Sequence, residues 1–247
     1  MIKWRVWMAV SLLAYSCVAF AAPANRKLAE IRSQLAVEYA SLGNLPVALE
    51  SANDAVKADG SFVGAYLTRA YVFNLMHLDA DAEQNFLKAL QVDPSSPEAN
   101  NNYGQFLCEH ERPRLAMDYL AKAVGNPLYQ TPQTAYLNMG HCSVKLGETT
   151  QANDYLLTAL RLVPNYLPAL RELAALHLEL GNAKLASFYF SRLQQAAGAT
   201  PLSADILWLG VQIARKGGDR AHEAEYSALL KNRYPDSRET QLLLSGS

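Results

Sequence analysis

Net charge is almost absent from this sequence. The 247 residues contain 22 Lys and Arg against 23 Asp and Glu, a formal net charge of −1. Such a chain has no basic field to attract nucleic acid, and no block of like charge interrupts it. Low-complexity segments and long linkers are also missing. We therefore expect one folded unit rather than several domains.

Signatures of catalysis and of cofactor binding are missing too. The sequence has no G-x-S-x-G, no P-loop and no G-x-G-x-x-G, and its histidines form no H-E-x-x-H pair. His141 precedes Cys142, but adjacent helical residues point about 100° apart, so no nucleophile–base pair is predicted. We expect a non-enzymatic protein with no cofactor and no bound metal.

Residues 1–22 have the pattern of a bacterial secretory signal. Lys3 and Arg5 precede a short apolar run, Val6–Tyr15, and a small-x-small cleavage site ends at Ala21. The run is shorter than the roughly 20 residues of a membrane span, and no second apolar span follows. We expect the chain to be exported.

Cys17 leaves two forms of the exported product open. Ser16 suits the residue before a lipidated cysteine, whereas Ala14 and Tyr15 depart from the lipoprotein pattern. The sequence is compatible with a soluble periplasmic protein cut after Ala21. It is equally compatible with a lipid-anchored protein that starts at Cys17.

What the sequence does contain is a unit of about 34 residues that recurs six times, a period typical of tetratricopeptide repeats. A small residue in each unit allows close helix packing, and in most units a Gly seven places later suits a left-handed helix end. The predicted fold is all-α, a right-handed α-solenoid of about six helix–turn–helix repeats within residues 23–247. The units lie near residues 29–62, 63–96, 97–130, 133–166, 167–200 and 203–236. Their small residues are Ala36, Ala70, Gly104, Gly140, Ala174 and Gly210.

Two cysteines, Cys108 and Cys142, fall in the first helices of neighbouring units. These two cysteines remain whether Cys17 is removed with the signal or lipidated. An even count of cysteines in an oxidising compartment favours a disulfide, which would join the third unit to the fourth. Such a bond needs Cα atoms within about 7 Å. The alternative is two buried free thiols.

First helices line the concave face of such a solenoid, and positions near 5, 9 and 12 of each unit point into it. About half of these positions are expected to be exposed, and the others to pack between repeats. Their apolar and amide-rich character favours an extended or helical peptide with apolar anchors. The predicted groove residues are Leu67, Tyr71, Asn74, Asn101, Gln105, Leu137, His141 and Arg171.

Several stretches go beyond the generic repeat. They are NNNYGQFLC at 100–108, NPLYQTP at 126–132, NMGHC at 138–142, LWLG at 207–210 and YPDSRE at 234–239. Together they resemble the PilF/PilW family of type IV pilus biogenesis and stability proteins, over the whole mature length. The resemblance also implies that Cys108 and Cys142 are paired.

The resemblance implies a Gram-negative protein at the periplasmic face of the outer membrane, lipid-anchored or soluble in the periplasm. It implies partners among type IV pilus proteins, above all the outer-membrane secretin. The predicted function is a pilotin-like aid to secretin localisation and multimerisation. The alternative is a general periplasmic scaffold for envelope or cell-wall proteins.

Overall fold

The computed structural model describes residues 25–246, and every regular element within that range is a helix. The predicted signal segment, with Cys17, lies outside the described residues. The helices are α1 Arg26–Ser41, α2 Leu45–Ala58, α3 Val63–Leu75, α4 Asp79–Val92, α5 Pro97–Glu109, α6 Pro113–Gly125, α7 Pro132–Lys145, α8 Thr149–Leu162, α9 Leu167–Glu179, α10 Ala183–Ala197, α11 Ala204–Gly217, α12 Arg220–Arg233 and α13 Arg238–Ser245.

Consecutive helices pack in pairs, from α1 with α2 to α11 with α12. Each first helix also packs against the first helix of the next pair, so that α1, α3, α5, α7, α9 and α11 form one continuous row. Contact between neighbouring repeats only is the defining property of a solenoid. The predicted all-α tetratricopeptide solenoid is confirmed.

The small residues of the third and fourth units lie where the two helices of each unit approach closely. A Cβ atom added to Gly104 would be 2.7 Å from Cγ of Leu120, and one added to Gly140 would be 2.7 Å from Cγ of Leu156. Both leucines are fully buried. Contacts this short cannot be relieved by a flexible chain end, because branched leucines at full burial have no free space to move into.

The turns between paired helices need a residue with positive φ. Glycine supplies it in four repeats, for example at Gly43 with φ of 76° and Gly147 with φ of 74°. In the second and third repeats the same place holds His77 and Glu111, with φ of 57° and 58°. The turn is therefore kept at a cost in backbone strain, since only glycine adopts this region freely.

Helix α13 follows the sixth pair and packs on α11 and α12. The hydroxyl of Ser237 accepts a hydrogen bond from the amide of Thr240, which caps the start of the helix. Thr240 is buried and its Oγ1 donates to the carbonyl oxygen of Tyr234 at 2.7 Å. A terminal helix of this kind covers the apolar face that the last repeat would otherwise expose.

Candidate protein-binding groove

Two open cavities of about 590 and 550 Å³ lie along the row of first helices. The α5–α9 cavity is lined by side chains of α5, α7 and α9, and the α3–α5 cavity by side chains of α3, α4 and α5. Gln105 and Glu109 line both. The two cavities therefore meet at α5 and form one groove.

Seven of the eight predicted groove residues line these cavities. The α5–α9 cavity holds Gln105, Leu137, His141 and Arg171, and the α3–α5 cavity holds Leu67, Tyr71, Asn74 and Gln105. Tyr71, Gln105 and Arg171 are exposed, whereas Leu67 is buried and forms part of the floor. The repeat register thus brings together residues from four units.

Asn101 is the exception, because it lines neither cavity and packs between repeats, as expected for about half of these positions. It is 3% exposed, and its Oδ1 accepts a hydrogen bond of 3.0 Å from Nδ2 of Asn138. The groove side of α5 carries Asn102, Gln105 and Glu109, which follow the three- and four-residue spacing of one helix face. Asn101 lies beside that stripe and ties α5 to α7 below the surface.

Charged groups in the α5–α9 cavity form a connected set. Arg171 lies between two carboxylates, with its Nη1 3.2 Å from Oε1 of Glu172 and its Nε 3.3 Å from Oδ2 of Asp205. Nδ1 of His141 is 3.6 Å from the other oxygen of Glu172. Burial disfavours the charged form of Glu172, but the close approach and charge of His141, with the charge of Arg171, hold its pKa below the ordinary value.

The α3–α5 cavity is more apolar. Phe86 and Phe106 form its floor with Leu67, and Tyr71 forms a wall that is 41% exposed. Sequence reasoning missed the aromatic floor as well as Glu109. The signal for Glu109 was its spacing, because it lies four residues after Gln105 on the same helix face.

A partly exposed ion pair joins the second repeat to the third. Glu83 of α4 accepts two hydrogen bonds from Arg112, at 2.7 and 3.1 Å, and a third from the hydroxyl of Tyr103 at 2.7 Å. The hydrogen bonds from Arg112 lower the pKa of Glu83, and burial raises it. The effect of Arg112 is the larger, so the pKa of Glu83 lies below its usual range. Burial, together with the carboxylate, raises the pKa of Tyr103. This arrangement holds α5 in register beside α4.

The structure pairs Cys108 of α5 with Cys142 of α7 in a disulfide, with Cα atoms 5.7 Å apart and a sequence separation of 34. Both residues are buried, and Cys108 lies in the wall of the α5–α9 cavity. The bond crosses only the boundary between the third and fourth repeats. It therefore links the two helices on which the cavity depends.

Residues 25–246 contain no group of three or more His, Cys, Asp or Glu side chains placed to hold a metal ion. His110, for example, stacks on Phe106 and pairs with Asp79 at 3.3 Å. His177 is buried and stacks on Tyr189.

Within the same described range, no helix has both the length and the apolar character that a membrane crossing requires.

The paired helices, the period and the groove define a tetratricopeptide-repeat protein. The tetratricopeptide repeat family model matches residues 133–166. The type IV pilus assembly protein PilF of Pseudomonas aeruginosa is 31% identical over 208 residues, which cover 84% of this chain and 81% of PilF. The chain belongs to the PilF/PilW family of type IV pilus biogenesis proteins.

Two solved structures of the family have the same architecture. The crystal structure of PilW, described as a widely conserved type IV pilus biogenesis factor, is 37% identical and superposes with a TM-score of 0.78. That match covers 89% of this chain and all of PilW. The structure of PilF from Pseudomonas aeruginosa is 29% identical, with a TM-score of 0.72 over 90% of this chain and 98% of that one.

Proposed function

We propose that this chain is a non-enzymatic factor of type IV pilus biogenesis that binds a segment of the outer-membrane secretin. By holding that segment in the groove it aids the localisation and multimerisation of the secretin, as a pilotin does. The observation that supports this role most is the groove itself, in a chain whose relatives along most of its length are pilus biogenesis proteins.

The groove suits a peptide ligand. It combines an apolar floor with amide and charged side chains, and it lies on rigid helices of a solenoid. An extended or helical segment can place apolar side chains on the floor while its polar groups meet the rim.

Export places the chain beside this partner. The leader at residues 1–22 delivers either a lipid-anchored form that starts at Cys17 or a soluble form cut after Ala21. An acyl-modified Cys17 would let lipoprotein sorting carry the bound secretin to the outer membrane. The mass of the mature N-terminal peptide distinguishes the two forms.

The test is a blot for detergent-resistant secretin multimers in membrane fractions of the source cell, with and without this gene. We expect the multimers to disappear, or secretin monomer to collect in the inner membrane, when the gene is deleted. The wild-type gene should restore them. A Leu137→Asp variant should fail, because it introduces a charge on an apolar part of the groove.

Leu185→Asp is the matched control, since Leu185 is exposed on α10 and lines neither cavity. It should restore multimers as well as the wild-type chain does, at equal protein levels. Multimers that persist in the deletion strain while surface pili are lost would contradict the pilotin role and assign the chain to fibre stability. Normal multimers with normal pili would contradict a role in pilus biogenesis.

A further inference from the structure

Glu109 occupies the point where the two cavities meet. It is the last residue of α5, it is exposed, and it lines both the α5–α9 and the α3–α5 cavity. Within residues 25–246 its carboxylate has one polar contact, a hydrogen bond of 2.9 Å from Nε2 of Gln105. The side-chain amide of Gln105 is neutral, so it does not compensate the negative charge of Glu109.

The basic side chains of the α5–α6 turn, of the end of α7 and of the groove on α9 are each engaged with other carboxylates. Arg112 makes two hydrogen bonds to Glu83, and Nζ of Lys145 is 3.1 Å from Oε1 of Glu111. Arg171 lies between the two carboxylates described above. None of these three pairs with Glu109, which leaves its carboxylate available to a cation of a ligand.

The local field favours such a charge. Glu109 ends α5, where the unpaired carbonyl groups of a helix C-terminus add negative potential. The lining of the whole groove has two glutamates, Glu109 and Glu172, and two basic side chains, His141 and Arg171. Both basic side chains lie beside Glu172, so the negative charge without a partner is at Glu109.

An apolar surface lies directly beside this charge. Phe106 is one helical turn before Glu109 on α5, is 2% exposed, and forms the floor of the α3–α5 cavity with Leu67. The exposed ring of Tyr71 stands over that floor. One ligand segment can therefore contact the apolar floor and the carboxylate at the same time.

We propose that the groove recognises a segment with an apolar side chain next to a lysine or arginine, and that the cation pairs with Glu109. The inference rests on the proposed function, because it specifies which kind of secretin segment the groove takes. The apolar side chain enters the α3–α5 cavity, where it contacts the exposed ring of Tyr71 and supplies binding energy. The cation sets the register of the segment and rejects acidic segments, since like charges at an interface are unfavourable.

Overlapping peptides that cover the periplasmic part of the secretin from the source cell are the probes for this proposal. Binding of each fluorescent peptide to the purified mature chain is measured by anisotropy. The peptides that bind should share an apolar residue next to Lys or Arg. Glu109→Lys should weaken their binding about ten-fold, and changing the peptide cation to Glu should restore binding to that variant. Added salt should weaken the wild-type complex more than the variant complex.

Asp118→Lys is the matched control. It makes the same charge change at an exposed residue of α6 that lines neither cavity, and it should leave peptide affinity unchanged. Equal affinity of the wild-type chain and Glu109→Lys for the peptides would overturn the inference and leave the proposed function standing. Binding of peptides that contain no cation would have the same consequence. A panel without any bound peptide, together with secretin multimers that persist in the deletion strain, would overturn the proposed function and the inference with it.

Discussion

Reduction of the disulfide between Cys108 and Cys142 should destabilise the solenoid in a measurable and localised way. The bond closes a loop of 34 residues. In the chain-entropy account, a loop of that length restricts the unfolded ensemble by about 3.8 kcal/mol near room temperature. For a chain of this size, such a loss corresponds to a fall in Tm of about 8–15 °C.

The assay is urea unfolding followed by circular dichroism, with and without a phosphine reductant, after thiol titration has shown the starting protein to be oxidised. The Cys108→Ala, Cys142→Ala double variant is the control, because the reductant should not change its unfolding. Hydrogen exchange should show the largest loss of protection in α5 and α7, since the bond crosses only their boundary. An identical urea midpoint for the oxidised and reduced wild-type chain would refute the reasoning.

Three further perturbations test the repeat geometry. His77→Gly should raise the free energy of unfolding by about 1 kcal/mol in urea titration, because glycine adopts a φ of 57° without strain. Gly104→Ala should lower it by about 1–2 kcal/mol, because the new Cβ would be 2.7 Å from Leu120. The contribution of Glu83 should be full above about pH 5 and should be lost as the pH falls through its lowered native pKa, since protonation removes the charge that Arg112 binds. Unfolding followed from neutral to acid pH should therefore show a shallower acid loss for Glu83→Gln than for the wild-type chain.

The two glycine substitutions each have a comparison within the chain. Gly43→Ala should destabilise the equivalent turn of the first repeat, because Gly43 has a φ of 76°. Gly125→Ala should be neutral or stabilising, since Gly125 ends α6 and nothing lies within 4 Å of an added Cβ. A loss of stability at Gly125 as large as that at Gly104 would contradict the explanation by close helix crossing.

Much of the fold can be predicted from the sequence, because each close helix crossing requires a small residue and these residues recur at a fixed spacing. A fixed spacing of residues such as Ala36, Ala70 and Gly104 predicts paired helices, and it sets the register that places Gln105, Leu137 and His141 on one surface. A local pattern is sufficient here, because each repeat packs only against its neighbours.

The details that escaped prediction depend on packing rather than on the pattern. Asn101 and Asn102 are adjacent residues of the same type, so the sequence does not show which of them is buried. The contact of α5 with α7 buries Asn101. Helix α13 lies beyond the last repeat and has no period to reveal it, although Ser237 is a typical N-cap residue. The left-handed conformation of Glu111 could not be predicted from the sequence, because glycine, the residue that usually indicates it, is absent from this position.

The central claim is that the groove holds the secretin in the cell, and site-specific photocrosslinking tests it most directly. A benzophenone amino acid replaces Tyr71, whose exposed ring stands over the α3–α5 cavity, or Phe188, which is 52% exposed on α10 and lines neither cavity. Illumination of living cells should give a crosslink to the secretin from position 71 and none from position 188. Equal crosslinking from both positions, or none from position 71 while secretin multimers still depend on the chain, would contradict the account.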